Sequence, residues 1–204
     1  MNGALLVVLE HDRGAMADAS AEALTFGRSL AARIGVACEA LVVGDSSVTD
    51  GTLADECARY GAATVHVAEV DGLSDYSPEV SGDVIAAAAE ALAPVVIVAC
   101  GTDRGNEVLA HAAAALDLPF VANCLSVTPG DEWEVTRVQW GGSLNEDAGL
   151  SSRLPIVSVA HHAVEAAEAP VEANVSALDV SVADTGLRTM IRDRDVVEGG
   201  VTLA

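Results

Sequence analysis

Apolar residues in this chain alternate between short continuous runs and longer stretches in which they recur every three or four positions. The first run, residues 4–9, has the length and continuity of a parallel strand that is covered on both faces. Along residues 17–34 the apolar side chains have helical spacing, and Gly35 provides a C-terminal stop. These two segments predict a strand followed by its crossover helix.

The same pattern recurs through the first two thirds of the chain. Strands are predicted at 37–43, 63–68, 95–99 and 120–127, and helices at 52–60, 78–92 and 107–116, with Gly61 ending the second helix. Alternating units of this kind imply a mostly parallel sheet with right-handed crossovers. The predicted fold class is α/β, a doubly wound, Rossmann-like sheet of the adenine-nucleotide alpha hydrolase-like type with helices on both faces.

The last third has a different pattern. Residues 133–140 alternate as in an exposed or edge strand, 154–160 form an apolar strand, and 174–182 alternate strictly. Extra antiparallel strands are therefore predicted near the C-terminus. Residues 163–173, rich in Ala, Glu and Pro, indicate a linker or a short helix, and one more strand is predicted around Met190.

Charge narrows the range of partners. The chain has 31 Asp and Glu against 10 basic residues, all of them Arg, and a formal net charge of −21. So acidic a surface repels phosphate backbones and anionic lipids, which argues against nucleic acid and membrane-surface partners. Because concentrated salt screens such self-repulsion, the composition predicts a halophilic source.

The sequence contains no recognisable leader peptide, membrane span or C-x-x-C pair, and these features bear on where the protein resides and on what its cysteines do. No basic, apolar leader precedes the first strand, so a cytoplasmic protein is predicted. The most apolar stretch, residues 84–100, contains Glu90 and Pro94 and is shorter than a membrane span, so no direct membrane insertion is expected. The cysteines form no C-x-x-C pair and are expected to be small buried hydrophobes: Cys38, Cys57, Cys100 and Cys124.

Ordered segments resemble one family. Residues 6–11 (LVVLEH), followed by a predicted helix at 19–28, resemble the opening of electron transfer flavoprotein alpha subunits, where a strand ends in Glu-His. Further matches are a strand at 40–44, a Tyr-Gly-Ala turn and Val-rich strand at 58–67, an apolar strand ending in Gly at 95–102, and an aromatic-Gly-Gly stretch at 140–144. The chain departs from the family at His111, where Arg is usual, at Asn123, where Asp is common, and at Ser143, where Asn is common.

The resemblance implies how the chain is divided. Residues 1–165 match the family's N-terminal α/β domain, and residues 166–204 match a linker and β-strand segment leading toward a C-terminal FAD-binding domain. The Ser-Gly-Gly-Arg-Gly turn that opens that domain does not occur before Ala204. We therefore expect a chain that stops before the flavin domain, with FAD bound only in the intact heterodimer.

The function implied by the resemblance is structural. The intact subunit would pair with a beta subunit and carry electrons from dehydrogenases, such as acyl-CoA dehydrogenases, to a quinone reductase, with FAD performing the chemistry. This segment would be a platform without catalytic residues, in a carrier rather than an enzyme. Two alternatives stay open: a universal-stress-type nucleotide-binding protein or adenine-nucleotide hydrolase, and a flavoprotein-related scaffold without a second domain.

The motifs in the sequence give little support for a functional site, and no catalytic, cofactor-binding or metal-binding residue is predicted. Residues 101–105 fit neither phosphate-loop pattern, so a structural loop with Thr102 or Asp103 as helix N-cap is favoured. Residues 10–12 (Glu-His-Asp) suit acid–base chemistry but are more typical of a loop. His161 and His162 lack enough neighbouring ligands in the sequence for a zinc site.

Overall fold

The computed structural model describes residues 3–46 and 51–180, together with residues 189, 191, 193 and 195. The described helices are α1 (Asp18–Ile34), α2 (Thr52–Arg59), α3 (Pro78–Leu92) and α4 (Asp103–Leu116). The described strands are β1 (Leu5–Val8), β2 (His11–Asp12), β3 (Ala15–Met16), β4 (Cys38–Gly44), β5 (Thr64–Glu69), β6 (Val96–Gly101), β7 (Phe120–Thr128), β8 (Trp133–Gln139), β9 (Leu144–Leu150), β10 (Ile156–Ala160) and β11 (Asn174–Ala177).

Nine strands form one sheet in the order β11-β5-β4-β1-β6-β10-β7-β8-β9. Every pair from β11 to β7 is parallel, whereas β7, β8 and β9 pair antiparallel. The chain moves outward from β1 to β5 in one direction, then returns to place β6 on the other side of β1. The predicted doubly wound α/β fold and its additional antiparallel strands are confirmed.

Strand periodicity explains the two helical layers. Successive side chains of a strand point to opposite faces, so Leu5 and Val7 pack with α1 and α2, while Leu6 and Val8 pack with α3 and α4. All five residues of β10 are buried as well. Continuous apolar runs in the sequence therefore correspond to strands covered on both faces.

Helix boundaries follow local chemistry. Gly35 ends α1 with φ 73°, as predicted, and Pro78 opens α3 in a first turn that needs no N–H from it. In α4 the Thr102 hydroxyl accepts a hydrogen bond from the backbone N–H of Gly105, so the helix begins at Asp103, before the predicted start at 107. The predicted C-cap at Gly61 is off by one residue, because Tyr60 occupies that position.

The sequence pattern missed β9 and the short β2–β3 hairpin. Residues of β9 are mostly polar and exposed, and the strand forms because β8 offers seven partners in register. Residues 163–173, predicted as a linker or a short helix, form no helix, and Ala169 and Val171 donate backbone N–H groups to the carbonyls of Arg59 and Ala58 at the end of α2. The described part of the strand predicted at 174–182 ends at 177, and the strand predicted around Met190 lies outside the described residues.

Within the described part of the chain, none of the helices combines the length and the apolar character needed to span a bilayer.

Candidate functional site

A cleft opens where the chain reverses direction, beyond the carboxyl ends of β1, β4 and β6. In doubly wound sheets this switch point is the usual place for a ligand. The cleft encloses about 700 Å³, including space open to solvent. The polar side chains along it are Glu10, His11, Asp12, Arg13, Ser74, Asp75, Tyr76, Ser81 and Arg104.

Glu10 and His11 are held in place by hydrogen bonds to other parts of the protein. The Glu10 carboxylate accepts a 2.6 Å hydrogen bond from the Thr102 hydroxyl, which ties the end of β1 to the start of α4. His11 donates from Nε2 to the Val43 carbonyl at 2.8 Å, because a carbonyl can only accept. Glu10 and His11 are thus directed to different partners, and the sequence-based hypothesis of an acid–base pair finds no support in their geometry.

The two arginines of the cleft are also engaged. Arg13 pairs with Asp75 at 2.7 Å, and the carboxylate raises the pKa of the guanidinium. Arg104 lies over the Tyr76 ring with its guanidinium carbon 4.8 Å from the centroid, in cation–π geometry. Burial and a hydrogen bond to Glu107 raise the pKa of Tyr76, whose hydroxyl donates to that carboxylate.

The start of α4 beside the cleft is shaped by close packing. A side-chain carbon on Gly105 would collide with the carbonyl of Cys100, so glycine lets the helix approach the end of β6. The nearest hydroxyl, on Thr102, is occupied as the N-cap. The 101–105 segment is therefore a structural capped turn, as the sequence indicated.

A partly buried polar network lies next to this turn and was missed by sequence reasoning. The Ser158 hydroxyl donates to Asn106 Oδ1 at 2.6 Å, and Asn106 Nδ2 donates to Asn123 Oδ1 at 3.1 Å. Asn123 has φ 59° and donates its backbone N–H to the Ser158 hydroxyl. Because asparagine tolerates positive φ, this network fixes an irregularity of β7 against β10 and α4.

A second cluster lies where β10 meets α1. Glu22, only 7% exposed, accepts the His162 backbone N–H at 2.8 Å through Oε2. Its Oε1 lies 3.1 Å from His162 Nδ1 and 4.0 Å from His161 Nε2, and the two imidazole rings stack with centroids 3.7 Å apart. The helical face that would have joined His161 to Glu165 does not form.

All four cysteines are buried and free. Burial raises the pKa of each thiol, at Cys38, Cys57, Cys100 and Cys124, to about 12. Since the thiolate is the reactive form, these side chains are inert at neutral pH. The prediction that they are small buried hydrophobes is confirmed.

The fold and the cleft together define a class of protein. It is a doubly wound α/β domain in which Glu10, His11 and Arg13, at the switch point of the sheet, are bonded to other groups of the protein. A sequence model of the electron transfer flavoprotein domain matches residues 5–184, which span the described sheet. The chain therefore belongs to the electron transfer flavoprotein family.

Individual relatives point to one subunit type. The chain is 31% identical over 162 residues to "Electron transfer flavoprotein subunit alpha" of Mycobacterium tuberculosis, covering 79% of this chain and 48% of that protein. It is 32% identical over 161 residues to the same subunit of Mycobacterium leprae, with the same coverage, and 29% identical over 140 residues to "Protein FixB" of Bradyrhizobium diazoefficiens, covering 68% of this chain and 38% of that protein. The chain spans about half the length of the alpha subunits it matches.

The cleft residues do not fit the FAD that the family name implies. A dinucleotide carries a diphosphate, and the cleft presents the carboxyl groups of Glu10, Asp12 and Asp75. One of its two arginines is ion-paired with Asp75 and the other lies over the Tyr76 ring, so the three carboxyl groups outnumber the cations. This excess of negative charge disfavours binding of a diphosphate.

Proposed function

We propose that this chain is the platform domain of an electron transfer flavoprotein alpha subunit. It pairs with a beta subunit and supports a flavin-carrying domain formed by other polypeptide. The assembled carrier passes electrons from dehydrogenases, such as acyl-CoA dehydrogenases, to a quinone reductase, in the cytoplasm of a salt-adapted cell. The match of the family sequence model to residues 5–184 carries this proposal.

The cleft supports a role in assembly rather than in nucleotide chemistry. Glu10 accepts a hydrogen bond from Thr102 and Arg13 is ion-paired with Asp75, and the three carboxyl groups along the cleft outnumber its two arginines. The universal-stress-type alternative needs a phosphate-binding loop, and the 101–105 turn has its Thr102 hydroxyl and Gly105 N–H bonded to each other. Titration calorimetry with AMP and ATP should therefore show no tight binding.

The β8–β9 turn is the proposed contact with the beta subunit. Trp140 is 81% exposed and Leu144 is 56% exposed, at either end of a four-residue loop. Gly141 and Gly142 both have positive φ, so the loop depends on glycine. Tryptophan is enriched at protein interfaces, and burying one side chain of 150–250 Å² contributes up to roughly 4–6 kcal/mol.

Mixing the chain with the beta subunit of the same organism tests this assignment. Light scattering after size exclusion should show a one-to-one complex, and the double variant Trp140→Ser/Leu144→Ser should weaken it by at least about tenfold. Val175→Ser is the control. Val175 is as exposed as Leu144 but lies on β11, at the opposite edge of the sheet. No complex with the unaltered chain, or equal loss in the control, would contradict the proposal.

A further inference from the structure

We propose that Glu22, His161 and His162 bind a divalent transition-metal ion, of which Zn²⁺ is the type case, between α1 and the turn after β10. One ligand atom from each residue lies within 4.8 Å of the other two. Glu22 and His162 are 140 positions apart in the sequence and meet only in the fold.

The spacing of the ligand atoms suits a tetrahedral ion. Bonds of about 2.0–2.1 Å that meet at tetrahedral angles place neighbouring ligand atoms about 3.3 Å apart. Glu22 Oε1 lies 3.1 Å from His162 Nδ1 and 4.0 Å from His161 Nε2. Both ring nitrogens approach the same carboxylate oxygen, so the three ligand atoms are already gathered beside Glu22. Because an imidazole binds a metal through a lone pair in the plane of its ring, the two rings, which are stacked with 24° between their planes, must rotate apart to bind one ion.

Glu22 is held ready for this role. The His162 backbone N–H binds Oε2 at 2.8 Å and leaves Oε1 directed at the two rings. The carboxylate is nearly buried, and among the described residues only the side chains of these two histidines lie within ion-pairing distance of it. A buried carboxylate needs a compensating positive charge, which a divalent cation supplies.

The donor set selects the class of metal. Two imidazoles and one carboxylate suit Zn²⁺, Co²⁺, Ni²⁺ or Cu²⁺, whereas Mg²⁺ and Ca²⁺ prefer oxygen ligands alone. The side chains of His161 and His162 are 41% and 78% exposed, so a fourth position would face water. Three protein ligands with one open position are the usual arrangement of a non-structural zinc site.

The bound ion would join two distant segments of the chain. Because the three ligands come together only in the folded protein, metal binding stabilises the fold by mass action. The contact links α1, which covers one face of the sheet, to the end of the central strand β10. We therefore expect a metal-dependent increase in thermal stability.

The test is a titration of the complete 204-residue chain with Co²⁺ and Zn²⁺ in excess Mg²⁺, after treatment with a chelator. The expected result is one equivalent bound, with Co²⁺ showing the visible spectrum of tetrahedral coordination and Zn²⁺ raising Tm. His162→Asn should weaken Zn²⁺ binding by at least about tenfold and remove the rise in Tm. Glu22→Gln should behave in the same way.

His111→Asn is the matched control, because it also removes an imidazole but lies on α4, and Asn keeps the Cβ that contacts Gly82. This variant should bind Zn²⁺ as the unaltered chain does. Circular dichroism confirms that each variant is folded, and the exposed His162 keeps the test valid if Glu22→Gln unfolds. Absent Zn²⁺ binding, displacement by Mg²⁺, or undiminished affinity in folded His162→Asn would overturn the proposal.

Discussion

The central parallel strands of the sheet differ in burial from its antiparallel extension, which consists of β8 and β9 paired beside β7. Strands β1 and β10 consist entirely of buried residues, whereas six of the seven residues of β9 are at least partly exposed. In the centre, apolar side chains fill both faces. In the extension, Trp133, Val135 and Leu150 still join the core, and nearer the β8–β9 turn polar cross-strand contacts such as Arg137 to Glu146, at 2.7 Å, replace apolar packing.

The contrast bears on where a partner could bind. Packing against four helices buries both faces of the central strands. The extension depends less on burial, so it can display Trp140 and Leu144 to solvent without loss of its pairing. The proposed contact with the beta subunit therefore lies outside the strands that are buried on both faces.

The largest effect is expected from truncation in the centre. Ile97 on β6 is fully buried, and Ile97→Ala should lower the free energy of unfolding by about 2–5 kcal/mol through lost transfer energy and a residual cavity. Val138→Ala on β8, where the side chain is partly exposed, should cost less. Urea unfolding in concentrated salt measures both, and equal losses would remove the proposed distinction.

A smaller effect is expected from added volume. A side-chain carbon on Gly27 of α1 would lie 2.6 Å from Val7 Cγ2 and 3.0 Å from Leu5 Cδ2. Gly27→Ala should therefore destabilise the fold by about 1–3 kcal/mol. Gly149→Ala on β9 meets only the flexible Glu132 carboxylate and should be tolerated. Comparable unfolding midpoints for the two variants would contradict the close packing of α1.

Raising the pH should destabilise the fold gradually, as the four buried thiols become ionised. Burial raises their pKa from 9.0 to about 12 in the folded protein. A raised folded-state pKa stabilises the fold below the unfolded value, and this contribution is lost as pH rises from about 9 to about 12. At pH 8 a thiol reagent should label the four cysteines only after unfolding; rapid labelling of the native chain would refute their burial.

The smallest effect is expected at the extension. Hydrogen bonds from Gln139 and Arg137 lower the pKa of Glu146, so this contact contributes above the unfolded-state pKa and is lost as pH falls through the lower folded value. Because the pair is exposed, Arg137→Gln should change Tm less than either core substitution, and added salt should erase the difference. A salt-independent loss as large as that of Ile97→Ala would show that the Arg137–Glu146 contact is not a screened surface pair.

Sequence patterns predicted the strands and helices whose burial leaves a regular spacing of apolar residues along the chain. Continuous apolar runs identified β1, β4, β5, β6 and β10, and helical spacing identified α1 to α4, because burial imposes those periods directly. β9 was missed because its pairing with β8 requires no apolar alternation.

The second cluster shows the other limit of sequence reasoning. His161 and His162 were recognised as a pair, but Glu22 is 140 positions from His162 and no spacing rule connects them. Likewise, the engagement of both cleft arginines depends on Asp75 and Tyr76, which the loop after β5 brings into place.

The central claim is that this domain shapes a flavoprotein while other polypeptide holds the flavin. Its most direct test is the flavin content of the purified chain, measured by visible absorbance and by chromatography of the denatured supernatant. The account predicts a colourless protein that stays free of FAD after incubation with excess cofactor and desalting. Roughly stoichiometric FAD retained by the chain alone would contradict it.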